Sequence, residues 1–342
     1  MTSRAPVTPR RLAGWSAALG ACLLLCLVVA AGSGAGAPDL GDLLSGEVSP
    51  LAETILLRVR LPRVLAAAII GGALSVAGVA FQGLLRNPLA DPYILGVSGG
   101  ASIGGVVAML LGLGGATAPL AGLGVEALAF LGALGALLLI ERIATVGGSL
   151  TVYTLILTGA VFNAFSGALI LFLQSVASFE QLHSIVFYLM GQVPASGYPQ
   201  IALLAATVGA GTVAVFAMAR DYNALSLGEE GAASVGVDVE RVKRRTFALG
   251  ALLTGLCVAF AGLIGFVGLI VPHVLRLLLG PDHRLLLPLA LLGGGAFLVL
   301  ADLLSRTLVA PNEIPVGVVT ALAGGPFFLY LLRRRGREHG GG

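Results

Sequence analysis

Nine runs of almost uninterrupted apolar residues divide this 342-residue chain, at about 12–31, 64–85, 93–114, 120–140, 150–173, 198–219, 246–275, 285–304 and 315–332. An α-helix needs about 20 such residues to cross the roughly 30 Å hydrocarbon core of a bilayer. Lipid offers no partner for a backbone N–H or C=O, so only helices and closed barrels span it. Barrel strands alternate apolar and polar residues, and these runs do not. The expected class is an all-α polytopic membrane protein. At 57% hydrophobic and 11% charged, the chain lies far from soluble domains, where about a quarter of residues are charged. Its 50 glycines, about twice the usual share, fit helices that approach closely through small residues.

The run 246–275 decides the number of crossings. Arg241, Lys243, Arg244 and Arg245 precede it, Arg276 and Arg284 follow it, and the tail carries Arg333, Arg334, Arg335 and Arg337. Short loops rich in Lys and Arg stay in the cytoplasm. If the run crosses twice, sixteen of the twenty Lys and Arg lie inside, and only Arg58, Arg60, Arg63 and Arg306 lie outside. A single crossing puts nine outside. Two crossings give ten in all, with both termini cytoplasmic.

Thirty residues make only about 45 Å of helix, too short for two full crossings, so one limb must be short or broken. The candidate positions are Gly262, Gly265 and Gly268. Broken helices at membrane depth are tolerated where protein or a water-filled cavity surrounds them, and they mark transport pathways. The competing reading is one long tilted helix. At the start, Arg10 and Arg11, an apolar run and the small residues GSGAGA also fit a signal peptide. The length of the run favours a retained helix. Cys22, Cys26 and Cys257 lie inside apolar runs with no metal-ligand spacing, so packing is their expected role and no metal site is expected.

Three polar features interrupt this pattern. The stretch FQGLLRNPLADPYILGV at 81–97 falls where the second helix reaches the cytoplasmic surface. Burying Arg86 and Asp91 mid-bilayer would cost about 2.5–3.5 kcal/mol each, so a polar surface turn is expected, with Pro88 and Pro92 ending one helix before the next. Residues 220–245 form the longest inner loop. Ser226 and Glu229 make a capping-box pattern, Glu229 and Glu230 suit a first helical turn, Gly236 a stop, and Asp238 the next cap. The resulting helix of about nine residues is too short to stand alone, and Gly231, Ala232 and Ala233 permit close approach by a partner. On the outer face, Arg58, Arg60, Arg63 and Arg306 fit either interfacial anchoring or docking of an acidic partner. Glu126, Asp302 and Glu313 near the outer helix ends read as structural or docking-rim residues, and His273 as a turn-stabilising one. The single lysine, Lys243, lies in ERVKRR rather than in a phosphate-binding loop. Any ATP hydrolysis must come from another subunit, and the chain itself is not an enzyme.

The segment RLPRVLAAAIIGGALSVAGVAFQGLLRNPLADPYILGVSGGASIGG resembles the FecCD-type permease family, and further blocks follow in family order. These are FYLMGQ at 187–192, LGEEGAASVGV at 227–237, GLIGFVGLIVPHVLRLLLGPDHRLLLP at 262–288, ADLLSR at 301–306 and NEIPVGVVTALAGGPFFLYLL at 312–332. The resemblance implies the type II ABC importer permease fold, with ten transmembrane helices in one domain over 1–342. It implies a subunit that imports ferric siderophore, haem or vitamin B12 through the cytoplasmic (inner) membrane. The implied partners are a second permease copy, as in a homodimer, two ABC ATPases that use ATP and Mg, an extracytoplasmic substrate-binding protein and membrane lipid. No nucleic acid is expected, and no cofactor on this chain.

The resemblance also implies roles for residues. Coupling to the ATPase would fall on Ser226, Leu227, Gly228, Glu229, Glu230, Gly231, Ala232, Ala233, Gly236 and Val237. Arg60, Arg63 and Arg306 would dock the binding protein, and Asn87, Pro88 and Leu89 would form part of a cytoplasmic gate. Gly99, Gly100, Gly104, Gly262, Gly265, Gly268, Gly324 and Gly325 are candidates for close packing or pathway lining. An ion-gradient-driven transporter is the alternative, but it needs midplane carboxylates or ion sites that the sequence scarcely offers. A non-transporting membrane scaffold is a second alternative.

Overall fold

A computed structural model describes residues 8–34, 49–113 and 124–339. Among the described residues, seven helices are long and apolar enough to cross a bilayer: α1 (Pro9–Gly32), α2 (Pro50–Leu84), α4 (Gly124–Ala144), α5 (Val152–Ser175), α7 (Tyr198–Ala217), α10 (Val239–Ala261) and α12 (His283–Thr307). Two shorter ones, α3 (Val97–Leu110) and α11 (Val267–Leu279), and the apolar part Val316–Leu331 of α13 (Val316–His339) bring the apolar helices to ten. Between them lie α6 (Phe179–Met190), α8 (Ala219–Leu225), α9 (Glu229–Ser234) and a two-stranded hairpin, β1 (Thr145–Val146) and β2 (Ser149–Leu150), with Thr145 opposite Leu150. The GSGAGA stretch runs out of the described residues after Gly34.

Helix α2 is the hub. Of its spanning window 83% is buried, against 6% for α1 at the periphery. It packs on α12, α10, α11 and α7, and glycine makes the closest approaches possible. A Cβ on Gly71 would lie 2.6 Å from Leu298 Cβ, and one on Gly294 would lie 2.5 Å from Ser75 Cβ. The Gly100–Gly104 pair does the same for α3 on α4, where added Cβ atoms would strike the backbone of Gly132 and Leu128. With no hydrophobic drive between helices in lipid, such contact is what holds them together.

The 246–275 run is broken, as its length requires. Helix α10 ends at Ala261, residues 262–266 are non-helical and α11 starts at Val267. Gly262 has φ 68°, and a Cβ there would collide with the Tyr188 carbonyl oxygen, so both conformation and space call for glycine. Phe266 also adopts a left-handed conformation, with φ 68°.

The stretch 81–97 departs from the expected surface turn. Helix α2 closes with a Schellman pattern: Asn87 N–H donates to Gln82 O at 3.1 Å and Arg86 N–H to Gly83 O at 3.3 Å, with Arg86 left-handed at φ 47°. Arg86 and Asn87 are exposed there. Residues 88–96 then turn back along the protein. Pro92 packs on Gly268, which itself lies against Leu74 O, and Gly78 abuts the Gly268 carbonyl. Gly78 is seven residues before Leu85, which places Asp91 and Pro92 about 10 Å above the end of α2. Asp91 is therefore not a surface charge. Its Oδ1 accepts from Tyr93 N–H at 2.8 Å, and its carboxylate accepts from the Phe266 N–H at the head of α11. These bonds and the positive end of a helix dipole replace the water it lost.

Gly78→Val should lower thermal stability in detergent, by about 1–3 kcal/mol for overpacking. Gly265→Ala, where an added Cβ meets nothing within 4 Å, should leave the melting temperature unchanged.

Candidate functional site

The polar side chains gather at two ends of the helix bundle. At the end where α2 stops, Arg11 donates to Leu279 O at 2.9 Å, Arg276 to Gln82 Oε1 at 3.2 Å, and Asn223 to Asp282 Oδ1 at 2.8 Å. These bonds tie the start of α1 to the end of α11, α11 to α2, and α8 to the head of α12. Asp282 caps α12 through Arg284 N–H at 3.0 Å. The Arg284 hydrogen bonds, with those of Asn223, hold its carboxyl at about 2 despite partial burial. The hairpin and the segment 220–245 share this basic end.

Within that segment the expected capping box does not form. The Ser226 hydroxyl donates to Asn223 O at 2.6 Å and closes α8. Helix α9 starts after Gly228 with no side-chain cap and has six residues rather than nine. Glu229 and Glu230 do occupy its first turn, Gly236 (φ 87°) follows its end, and Asp238 caps α10 through Arg241 N–H at 3.0 Å. Ala232 is buried, Gly231 and Val237 are half-buried, and Ala233 is exposed. Leu227 and Val235, which flank the helix, are 69% and 63% exposed.

Lys243 lies behind α9, 3.2 Å from Glu229 Oε2 and 2.5 Å from Glu240 Oε1. Glu240 also accepts from Ser149 Oγ at 2.7 Å and from Leu150 N–H at 2.8 Å. Burial raises the Glu240 carboxyl, and the bonds from Lys243, Leu150 and Ser149 outweigh it, holding it at about 2.

At the opposite end, Arg60, Arg63 and Arg306 are not presented outward as the docking expectation required. Asp302 is wholly buried and accepts from Arg63 Nε at 2.9 Å and Arg306 Nε at 3.0 Å. Arg306 also donates to Ala30 O at 3.1 Å, and Arg60 to Ser33 O, so both fill orphan carbonyls at the end of α1. Arg63 reaches outward only to Glu313, at 2.8 Å, which is half exposed. Arg58 is exposed. A cavity of about 840 Å³ opens at this end beside α6, with Arg63, Glu126, His183 and Tyr188 in its wall.

Between the ends, two side chains of the re-entrant segment serve the broken one. Ile264 N–H donates to Tyr93 Oη at 3.0 Å, and Phe266 N–H to Asp91. The break also meets the end of α6 and the start of α13. Gln192 N–H donates to Ala261 O at 2.8 Å, Gly317 N–H to Gly191 O at 3.1 Å, and Tyr188 Oη to Val258 O at 3.0 Å. Asn163 on α5 donates to Tyr93 O at 2.9 Å. Three non-helical turns thus meet between the two ends, where the N–H groups of Ile264, Phe266, Gln192 and Gly317 all find acceptors.

The glycines singled out from sequence divide in two. Gly99 packs on Ser166, Gly100 and Gly104 on α4, Gly262 on Tyr188, Gly268 on Pro92 and Gly324 on Phe266, whereas Gly265 and Gly325 face open space. Asn87 is exposed and makes a tight turn by accepting from Leu89 N–H at 3.0 Å, with Pro88 and Leu89 half-buried beside it. Sequence reasoning missed Asp91 and Tyr93 as caps, helix α6 and the Glu240–Lys243 pair. The Asp-Pro pair at 91–92 was a usable signal, since Asp before Pro is a strong helix-start pattern.

Comparison with known proteins agrees with this architecture. The chain is 46% identical to the ABC transporter permease YvrB of Bacillus subtilis, over 87% of this chain and 83% of that one. It is 44% identical to the cobalamin import permease BtuC of Halobacterium salinarum (84% and 76% covered) and 39% to the haemin transport permease HmuU of Yersinia pestis (94% and 97% covered). A structure solved as an inward-facing conformation of an ABC transporter assigned to the metal-chelate type superposes with a TM-score of 0.81 at 31% identity, over 94% of this chain and 99% of that one. The fold and its relatives define a multi-pass permease subunit of an ATP-binding-cassette importer. The chain belongs to the FecCD transport family, whose model matches residues 18–334.

Asp302→Ala would take the shared carboxylate from two largely buried arginines, leaving Arg63 only Glu313, a change that costs about 3–5 kcal/mol. Its expected result is early loss of the monodisperse peak on heating. Asp91→Ala should cost about 1–3 kcal/mol through two orphaned N–H groups, with Asp91→Asn milder, both read from detergent melting.

Proposed function

We propose that this chain carries a bulky metal chelate, of the siderophore, haem or cobalamin class, as one of a pair of identical permeases driven by two separate ATPases that use ATP and Mg. The observation that carries the driving mechanism is α9 with its flanks. It is a six-residue helix at the basic end with large apolar side chains on either side turned to solvent, where a soluble partner would cover them. The positive-inside bias puts that end, and both termini, in the cytoplasm. The ligand class is supported by the cobalamin and haemin names of two relatives.

ATP binding in the partners would displace α9 and shift the permease pair between outward-open and inward-open states. Asn87, Pro88 and Leu89 at the surface start of the re-entrant segment would contribute to the cytoplasmic gate. Open space at Gly265 and Gly325 supports a pathway on that side of the break. The extracytoplasmic binding protein would settle on the rim formed by Arg63 and Glu313, with Arg60 and Arg306 supporting that rim from beneath.

Proteoliposomes holding the permease with its ATPase should take up cyanocobalamin, haemin or a ferric hydroxamate presented by the binding protein, and only with ATP. Leu227→Asp should reduce uptake strongly while the permease still inserts and purifies normally. Uptake driven by a proton or sodium gradient with no ATPase present would refute the reading.

A further inference from the structure

The one lysine of the chain is buried at a soluble end, where an arginine-rich surface gives charge no need to hide. Lys243 is 4% exposed, and burying an ammonium costs several kcal/mol unless its partners are close. They are close, and they come from different places. Glu229 belongs to α9, and Glu240, one turn before Lys243 on α10, holds Ser149 and the Leu150 N–H of the hairpin. One ammonium thus holds the neighbouring α9 and α10 together, and through Glu240 it ties them to a hairpin 91 residues away in sequence. Arg244 also fastens the hairpin to α10, through Gly148 O at 2.8 Å and Glu141 at 3.6 Å, but those bonds do not extend to α9.

The hairpin leads directly into α5. That helix carries Asn163, bonded to Tyr93 O, and Gly159, packed on Ile94 and Leu95. Tyr93 in turn holds the Ile264 N–H of the break. The contacts therefore run without a gap from α9 to the non-helical segment at membrane depth. We propose that Lys243 is a positioning residue that makes α9 and the 145–150 hairpin move as one body, so that displacement of α9 reaches α5 and the broken helix. A methionine in its place would remove the ammonium from Glu229 and Glu240, whose carboxylates reach water, and it would uncouple the two segments. The transport consequence rests on the importer reading, whereas the mechanical link does not.

The test uses the full-length chain in lipid nanodiscs, with Cys22, Cys26 and Cys257 replaced by Ala. Spin labels go on Val146→Cys and Val235→Cys, whose parent residues are 61% and 63% exposed. The parent and Lys243→Arg should give one narrow distance distribution, and Lys243→Met a broad one. An unchanged distribution in Lys243→Met overturns the proposal, whatever the protein transports. In the reconstituted complex, Lys243→Met should lower ligand imported per ATP about tenfold, within the roughly 5- to 150-fold range typical of coupling between sites, and Lys243→Arg should restore it. A parallel fall in uptake and hydrolysis, with the ratio kept, would mark a role in assembly alone and overturn the coupling. Absence of ATP-dependent uptake in the parent complex would count against the importer reading, and the label distances would still judge the link.

Discussion

The fold depends on how the backbone of residues 262–266 finds hydrogen-bond partners inside the bilayer. An unpaired N–H in hydrocarbon costs several kcal/mol, so a helix can break there only if protein supplies acceptors. Asp91 and Tyr93 supply two of them. To do so the segment after α2 must climb about 10 Å back along the bundle, which leaves only 14 residues of α3 to finish that crossing. The short α11 has the same origin, since it starts at the break rather than at a membrane face. Re-entrant segment and broken helix are two halves of one solution.

Close helix approach follows from the same setting. Gly78 and Gly268 allow α2 and α11 to touch at backbone distance, which brings the head of α11 within reach of Asp91. Carboxylate and helix dipole then satisfy each other in a place where neither could be left alone. At the end of the bundle away from the basic one the logic recurs with charge. Asp302 is buried between Arg63 and Arg306, and the arginines use their remaining donors on the end of α1 and on Glu313. Positive charge at this end thus serves the scaffold first, with Arg63 alone reaching Glu313 at its edge.

The placement of the polar network at the basic end gives the protein a means of linking its parts. Helix α9, the start of α10 and the hairpin converge on Lys243, and α5 runs from there to the re-entrant segment. A rigid body assembled from pieces that sequence separates can carry a displacement that no single short helix could transmit. The apolar residues beside α9 remain outside this body, turned to solvent.

By itself the sequence determined the number of apolar helices, the break in 246–275 and the gathering of charge at two ends of the bundle. Each follows from a local count: residues per crossing, arginines per loop, glycines per run. It also placed the stop at Gly236 and the cap at Asp238, because both act within a few residues of themselves. Only the tertiary structure decided where Asp91, Ser226 and the outer arginines spend their hydrogen bonds. Ser226 could cap forward or close the helix behind it, and Arg63 could face a partner or Asp302, 239 residues away. Local pattern is silent on such choices, since the competing partners are brought near only when the helices pack.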